Sequence, residues 1–472
     1  CPMQQRCEEL YEGITMVSTT GHELAEACVS RARTAQESFE AYDQQAVDEV
    51  VTAVSWAGYS HAETLAKSAV EETGLGNYED KVSKIRRKTM GTLRDLKGAQ
   101  SVGVIRVDEE RGITEIAKPA GVVAAMTPVT NPAATPIHNI MVALKGRNAI
   151  ILAPHPKGDA TAAAVIRFTH EELKKVGAPC DLVQHFHLKA ADKALSKLRA
   201  TSLMRQADLV VVTAGPANVR TGYSSGTPAL GVGRGNVPVI VEATADLEAA
   251  ADKIVQSKCF DNATSCSSEN SLLVEEHVYA EMLDALLVRG GYLVSTKEKA
   301  LLQSVIWQDG FLNRAIVGQS SHVIAQLAGL TVPADHGRFL MVEEEGIGPE
   351  YPFSGEKLCP VLTVYRYGGF DEAIQKVKAI LDYQGLGHSC GIHSKDETHI
   401  SQLAHAVKVS RVLVNQAHCI GNGGDFANGL DFTLSMGAGT WGGNSTCDNI
   451  SYKHLLNITR LSQPVLPRVP TE

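Results

Sequence analysis

Three short apolar runs constrain this chain more than any other feature. Residues 121–126, 148–152 and 208–212 each have the length of a β-strand and each stop at a proline-containing loop: Thr127-Pro128-Val129-Thr130-Asn131-Pro132, Ala153-Pro154-His155-Pro156-Lys157-Gly158 and Thr213-Ala214-Gly215-Pro216. After the second loop, Val165, Ile166 and Leu173 recur at helical spacing, with Asp159 as the expected cap of that helix. Strands alternating with helices predict a parallel α/β sheet, in which ligands bind beyond the carboxyl ends of the strands. The three loops are therefore expected along one crevice.

The rest of the chain is consistent with that pattern. Between residues 21 and 96, apolar positions repeat at three and four (Val47, Val50, Val51, Val54), which predicts helices without convergent chemistry. Two segments, 101–107 and 113–117, flank Asp108-Glu109-Glu110-Arg111-Gly112 and predict a hairpin, suited to an arm reaching a neighbouring subunit or to a surface flap. Further strands are expected at 237–241, 272–274, 361–365 and 411–414, and helices at 371–381 and 400–407. At 472 residues the chain exceeds one ordinary core. Its net charge of -9, without basic runs interleaved with aromatics, argues against nucleic acid or a membrane surface as partner. Ten cysteines without a CxxC pair argue against a zinc ribbon or a disulfide framework and for a reducing compartment. No signal-peptide core stands in residues 1–6 and no run reaches transmembrane length, so a cytoplasmic protein is expected.

Candidate chemistry gathers around Cys266. It sits in Asp261-Asn262-Ala263-Thr264-Ser265-Cys266-Ser267-Ser268, among small and hydroxylated residues just ahead of a strand. An isolated cysteine is more often an inert small hydrophobe, whereas one so placed can serve as a nucleophile. Gly231, Gly233 and Gly235 form a GxGxG stretch that is weak as a dinucleotide fingerprint and equally suits a tight turn before 237–241. His185 and His187 have an i,i+2 spacing that resembles metal ligation, but no third ligand stands out and no metal is expected.

Taken in order from about residue 24 to 461, these motifs resemble the aldehyde dehydrogenase superfamily, and more closely its CoA-acylating branch. That branch includes acylating sulfoacetaldehyde and succinate semialdehyde dehydrogenases and the aldehyde dehydrogenase half of bifunctional aldehyde-alcohol dehydrogenases. The resemblance implies an α/β fold with a Rossmann-type cofactor domain, an α/β catalytic domain and a small β oligomerisation arm. The expected boundaries are 1–243 for the cofactor domain, with hairpin 101–118 joining the arm, 244–428 for the catalytic domain, and 429–472 for a C-terminal return and oligomerisation segment. A homodimer or homotetramer is implied as well.

The resemblance also assigns roles. Cys266 is the implied nucleophile and Asn131 the oxyanion donor, although an Asn-Pro turn alone would explain Asn131. Thr130 is implied at the cofactor, Pro154, His155 and Lys157 at the cofactor ribose, Thr213, Gly215 and Pro216 beneath the pyrophosphate, Leu230 and Gly231 beside the cofactor, and Glu356 on the nicotinamide ribose. His388 is either an aid to thiol deprotonation or a structural histidine. NAD or NADP is the implied cofactor, with NADP favoured through Lys157, His155 or Arg220, and CoA is the co-substrate.

Hydrolytic members carry a water-activating glutamate just before the Leu-Gly of the Gly-rich stretch, where this chain has Ala229. Water is then a poor attacker of a Cys266 thioester, whereas the CoA thiol ionises far more readily. Glu269 is a disfavoured substitute base. The segment Asn415-Gln416-Ala417-His418 resembles acylating enzymes for short anionic aldehydes, so Arg234 and His418 are the candidates to meet a sulfonate or carboxylate, with sulfoacetaldehyde the first choice. A hydrolytic semialdehyde dehydrogenase and a non-catalytic nucleotide-binding scaffold remain as alternatives.

Overall fold

The computed structural model describes residues 2–188, 192–333 and 336–466. Residues 467–472, the end of the expected C-terminal segment, lie outside them. The chain divides into two compact units.

The first unit comprises residues 1–65, 85–230 and 450–472. Its five-stranded sheet has the order Val183–His185, Ala149–Pro154, Val122–Thr127, Leu209–Val212 and Ala229–Gly231. The first four strands pair in parallel. Val122–Thr127 and Ala149–Pro154 are buried at every position, which is why they read as unbroken apolar runs: both faces of the sheet are covered. Helices Ala134–Lys145, Asp159–Lys175 and Lys193–Gln206 connect successive strands. From Val122–Thr127 the chain winds outward through Ala149–Pro154, then returns to place Leu209–Val212 on the other side. The loops after Val122–Thr127 and Leu209–Val212 therefore diverge at a topological switch point.

Gly121 opens this arrangement. It has φ 122°, and a Cβ there would stand 2.3 Å from the Asp208 carboxylate, which instead accepts the Val122 N–H at 2.8 Å. Asp159 does not cap its helix as expected. The N-cap is Gly158, and the Asp159 carboxylate is taken by His185 and His187. The expected hairpin forms from Gly103–Asp108 and Ile113–Pro119, and Leu456–Ser462 adds a third antiparallel strand.

The second unit comprises residues 66–84 and 231–449. Its sheet has seven strands in the order Gly291–Leu293, Phe339–Glu343, Val361–Tyr367, Glu269–Glu275, Val237–Val241, Cys390–His393 and Val412–Val414, and every neighbouring pair is parallel. Side-chain alternation divides the core between the two faces. Val239, Leu272, Val274 and Val364 pack with helices Leu247–Cys259 and Tyr279–Val288, whereas Ile240, Leu273 and Tyr365 pack with Phe370–Tyr383 and Glu397–Ala406.

These units differ from the expected boundaries. The passage falls at 230/231 rather than 243 because Val237–Val241 belongs to the seven-stranded sheet. Residues 450–472 count with the first unit because Leu456–Ser462 pairs with Ile113–Pro119, and residues 66–84 count with the second. Among the described residues, no helix is long and apolar enough to cross a membrane.

One buried cluster explains why 66–84 belongs to the second unit. Asp261, fully buried, accepts from Lys81 Nζ (3.1 Å), Lys84 Nζ, the Asn77 N–H (3.0 Å) and Thr264 Oγ1 (2.8 Å). Burial works to raise the Asp261 carboxyl, but the Lys84 and Lys81 ammonium groups overcome it and hold it below its usual range. Asp261, Asn262 and Ala263 all adopt left-handed backbone (φ 51°, 52° and 55°), a costly conformation for residues other than glycine that the cluster must hold in place. Asp261→Asn should destabilise the protein by about 3–5 kcal/mol, because two buried ammonium groups lose their counter-charge. Urea unfolding checks this, with a loss below about 1 kcal/mol as the contrary result.

Candidate active site

Cys266 lies five residues beyond Asp261, in the bend that leads into Glu269–Glu275. Asp261 anchors the loop upstream. Downstream the anchor is Glu269, a fully buried carboxylate that accepts from Ser257 Oγ and from the His418 N–H (3.1 Å). Burial raises Glu269 to about 7. With both oxygens occupied by structural partners, Glu269 is not placed to activate water.

The GxGxG stretch passes directly over Cys266. A Cβ on Gly235 would stand 1.9 Å from the Cys266 carbonyl oxygen and 2.9 Å from its Cβ, so only glycine allows this approach. Gly233 and Gly442 both press on Ala438, and Gly387 on the Ala438 carbonyl, which brings the Gly-rich stretch, residues 385–388 and the Trp441-Gly442-Gly443-Asn444 motif together.

Glu356 stands close enough to Cys266 for its charge to act on the thiol. The next residue fixes it there. Lys357, wholly buried, donates from Nζ to the carbonyls of Phe353 (2.7 Å), Gly355 (3.0 Å) and Asn270 (3.2 Å), which ties the Glu356 loop to the strand that follows Cys266. Burial raises the Glu356 carboxyl to about 7 despite the Arg234 guanidinium, whose Nε lies 3.1 Å from Oε2. Burial, and next the Glu356 charge, push the half-buried Cys266 thiol up to about 12. In this state the sulfur is a protonated thiol at neutral pH.

A hydrogen bond with Ser267 opposes this effect, and so, to a smaller degree, does a buried cation that the sequence reading missed. Arg411 is 6% exposed and donates to Asn422 Oδ1 (3.1 Å), the Cys447 carbonyl (3.0 Å), Asn449 Oδ1 (3.2 Å), the His388 carbonyl (3.0 Å) and the Gly437 carbonyl (2.7 Å). None of the five acceptors is a carboxylate, so its positive charge is not neutralised by contact. That charge lowers the Cys266 thiol, and Asn422 carries the link onward by donating to Ser267 Oγ at 2.8 Å. Its only sequence signal is a lone arginine at the head of an apolar strand.

One expected role changes in this light. His418 is buried and lowered to about 4, chiefly by burial, and its Nδ1 donates to the Ser267 carbonyl at 2.9 Å. A neutral imidazole bonded to the Cys266 loop supports that loop and offers no cation to a sulfonate. His388 is likewise buried, with Nδ1 bonded to Ser389 Oγ (2.8 Å), Nε2 unpartnered, and basicity held far below normal by burial and by Arg411. Arg234, 40% exposed, is the cation open to a ligand.

The other predicted residues, Gly231 apart, lie in the first unit. Thr130 and Asn131, both half-buried, follow Val122–Thr127, with Asn131 Nδ2 3.4 Å from Thr130 Oγ1. Pro154 ends Ala149–Pro154, and the exposed His155 and Lys157 follow it. Buried Thr213 leads to exposed Gly215 and Pro216 at the start of helix Pro216–Tyr223, while Leu230 and Gly231 belong to Ala229–Gly231. That helix start has no side-chain cap, and a Cβ on Gly215 would meet nothing within 4 Å. An open, uncapped helix N-terminus at a switch point suits a dinucleotide pyrophosphate.

A parallel-sheet unit with an open helix start at its switch point occurs in one chain with a unit that presents a supported cysteine, an arrangement that suits nucleotide-dependent chemistry at a thiol. The sequence profile of the aldehyde dehydrogenase family matches residues 7–293. An acylating sulfoacetaldehyde dehydrogenase from Cupriavidus necator is 52% identical over 95% of this chain and 91% of its own length. An acetylating succinate-semialdehyde dehydrogenase from Clostridium kluyveri is 40% identical over 92% of this chain and 94% of its own. The crystal structure of an acetylating aldehyde dehydrogenase from Geobacillus thermoglucosidasius superposes with a TM-score of 0.91 at 36% identity, covering 97% of this chain and 99% of that one. The chain belongs to the aldehyde dehydrogenase family, within its CoA-acylating branch.

Labelling of Cys266 by iodoacetamide, followed by peptide mass spectrometry across pH, tests the charge balance. Glu356→Gln should speed labelling at slightly alkaline pH, by about tenfold for each unit the thiol falls. Arg411→Met should slow it and Arg411→Lys restore it, while superimposable pH profiles for all four proteins would show that neither charge reaches the sulfur.

Proposed function

We propose that this protein oxidises sulfoacetaldehyde to sulfoacetyl-CoA, with NAD(P)+ as oxidant and CoA as acyl acceptor. The observation that carries the acylating chemistry is Ala229 at the place of the water-activating glutamate, with Glu269 already occupied by Ser257 and His418. The 52% identity to an enzyme named for sulfoacetaldehyde supports the choice of substrate.

Cys266, once deprotonated, attacks the aldehyde carbon, and the oxygen becomes an oxyanion. The Asn131 side chain and the Cys266 N–H are the proposed donors to it, a contribution worth ~10²–10³ in turnover per donor. Bound NAD(P)+ supplies a two-electron acceptor for the hydride released as the thiohemiacetal collapses to a thioester on Cys266. Attack by the CoA thiolate then forms the acyl-CoA and returns the Cys266 thiolate, so aldehyde, NAD(P)+ and CoA become acyl-CoA, NAD(P)H and one proton. His388, buried and with an unpartnered Nε2, is the proposed aid to CoA deprotonation.

Thr130, Pro154, His155, Lys157, Thr213, Gly215, Pro216, Leu230 and Gly231 are the proposed cofactor contacts, with Glu356 on the nicotinamide ribose. The exposed Lys157 and Arg220 favour NADP. Arg234 is the proposed anion contact. We also assign the protein to the cytoplasm, as a homodimer or homotetramer through the three-stranded arm, without nucleic acid or membrane partners.

The test follows reduced-cofactor absorbance with sulfoacetaldehyde, succinate semialdehyde, acetaldehyde and propionaldehyde, each with and without CoA. Sulfoacetaldehyde should turn over best and only with CoA; CoA-independent turnover would sink the acylating reading. Arg234→Gln should lower kcat/KM for sulfoacetaldehyde by about tenfold to a hundredfold, the loss of one charge-assisted contact, and spare acetaldehyde.

A further inference from the structure

Asp159, His185 and His187 come together on the first unit, remote from one another in sequence by up to 28 positions. His185 closes the edge strand Val183–His185, and His187 follows two residues beyond its end. Asp159 opens helix Asp159–Lys175. Each carboxylate oxygen meets one imidazole: Oδ1 lies 3.0 Å from His185 Nε2, and Oδ2 lies 2.8 Å from His187 Nδ1. The two rings are 4.0 Å apart and tilted by 59°, and all three ligand atoms lie within 4.8 Å of one another.

We propose that Asp159, His185 and His187 form a binding site for a divalent transition-metal ion such as Zn2+. Two imidazoles and one carboxylate are a donor set that zinc accepts with a water in the fourth position, at about 2.0–2.2 Å from each ligand. Around a tetrahedral ion of that size, neighbouring ligand atoms stand roughly 3.3–3.5 Å apart. The observed nitrogen–oxygen separations need to open by only a few tenths of an ångström. Asp159 and His185 are 16% and 12% exposed, which fixes two ligands, whereas His187 at 63% leaves the remaining coordination face to solvent and gives an ion its route in. Each neutral imidazole frees its lone pair by moving its proton to the other ring nitrogen, so ligation needs no net proton loss.

The absence of a third ligand in the sequence reading is corrected here: Asp159 supplies it. The other cluster of this kind among the described residues, Glu242, Asp396 and His399, is a weaker candidate. It offers one histidine, its Glu242 is bonded to Ser394 and Thr244, and its Asp396 caps a helix.

Calorimetric titration of the chelator-treated full chain with Zn2+ should show one saturable site and a higher Tm on binding. His187→Ala, at an exposed position, should keep the metal-free Tm and lose the site; Asp159→Asn should weaken it. Co2+ in place of Zn2+ should give only weak visible bands, as expected for nitrogen and oxygen ligands. Absence of saturable binding, binding unchanged in His187→Ala, or a thiolate-to-cobalt charge-transfer band would each overturn the proposal, the last by placing the ion on a cysteine.

Discussion

The Cys266 loop depends on two buried carboxylates that bracket it. Asp261 is clamped by Lys81 and Lys84 five residues before Cys266, and Glu269 is held by Ser257 and the His418 N–H three residues after it. Neither carboxylate is free to react, and both are wholly buried. The first holds three consecutive left-handed residues in place, and the second joins the start of a core strand to the loop at 418. A bend with this much unfavourable backbone keeps one geometry only where surrounding contacts over-determine it.

Within that frame, the reactivity of Cys266 is an electrostatic balance. Burial and the Glu356 carboxylate disfavour the thiolate, while the Ser267 hydrogen bond and, as a smaller influence, the Arg411 charge favour it. An arginine whose acceptors are carbonyl and amide oxygens has no carboxylate in contact to offset its charge. Arg234 plays the opposite part. It faces solvent, leans on Glu356, and is available to a ligand. The two guanidinium groups thus divide the work, one supporting the sulfur and the other facing outward.

Much of the fold was legible because burial on both faces leaves an unbroken apolar run. The strands at 121–126, 148–152 and 208–212 all form, and so do the hairpin and the helices near 371–381 and 400–407. Side-chain roles were harder. His418 reads as a possible cation, yet burial makes it neutral. Asp159 reads as a cap because it follows a proline-glycine loop, but its helix begins one residue earlier than a cap would allow, and two distant histidines take its carboxylate. Arg411 looked like an ordinary residue at a strand's start. Its five acceptors come from segments between residues 388 and 449, and no local pattern announces such a convergence.

The sequence by itself determined the alternation that makes two parallel sheets, the small-residue setting of Cys266, and the absence of a glutamate at Ala229. Those are local properties, set by period, by residue size and by a single substitution. Only the tertiary structure decided which charges surround the sulfur, which histidines are neutral, and which distant residues complete a cluster. The physical reason is that ionisation and ligation depend on burial and on partners within a few ångströms, and folding brings those partners from positions far apart in the chain.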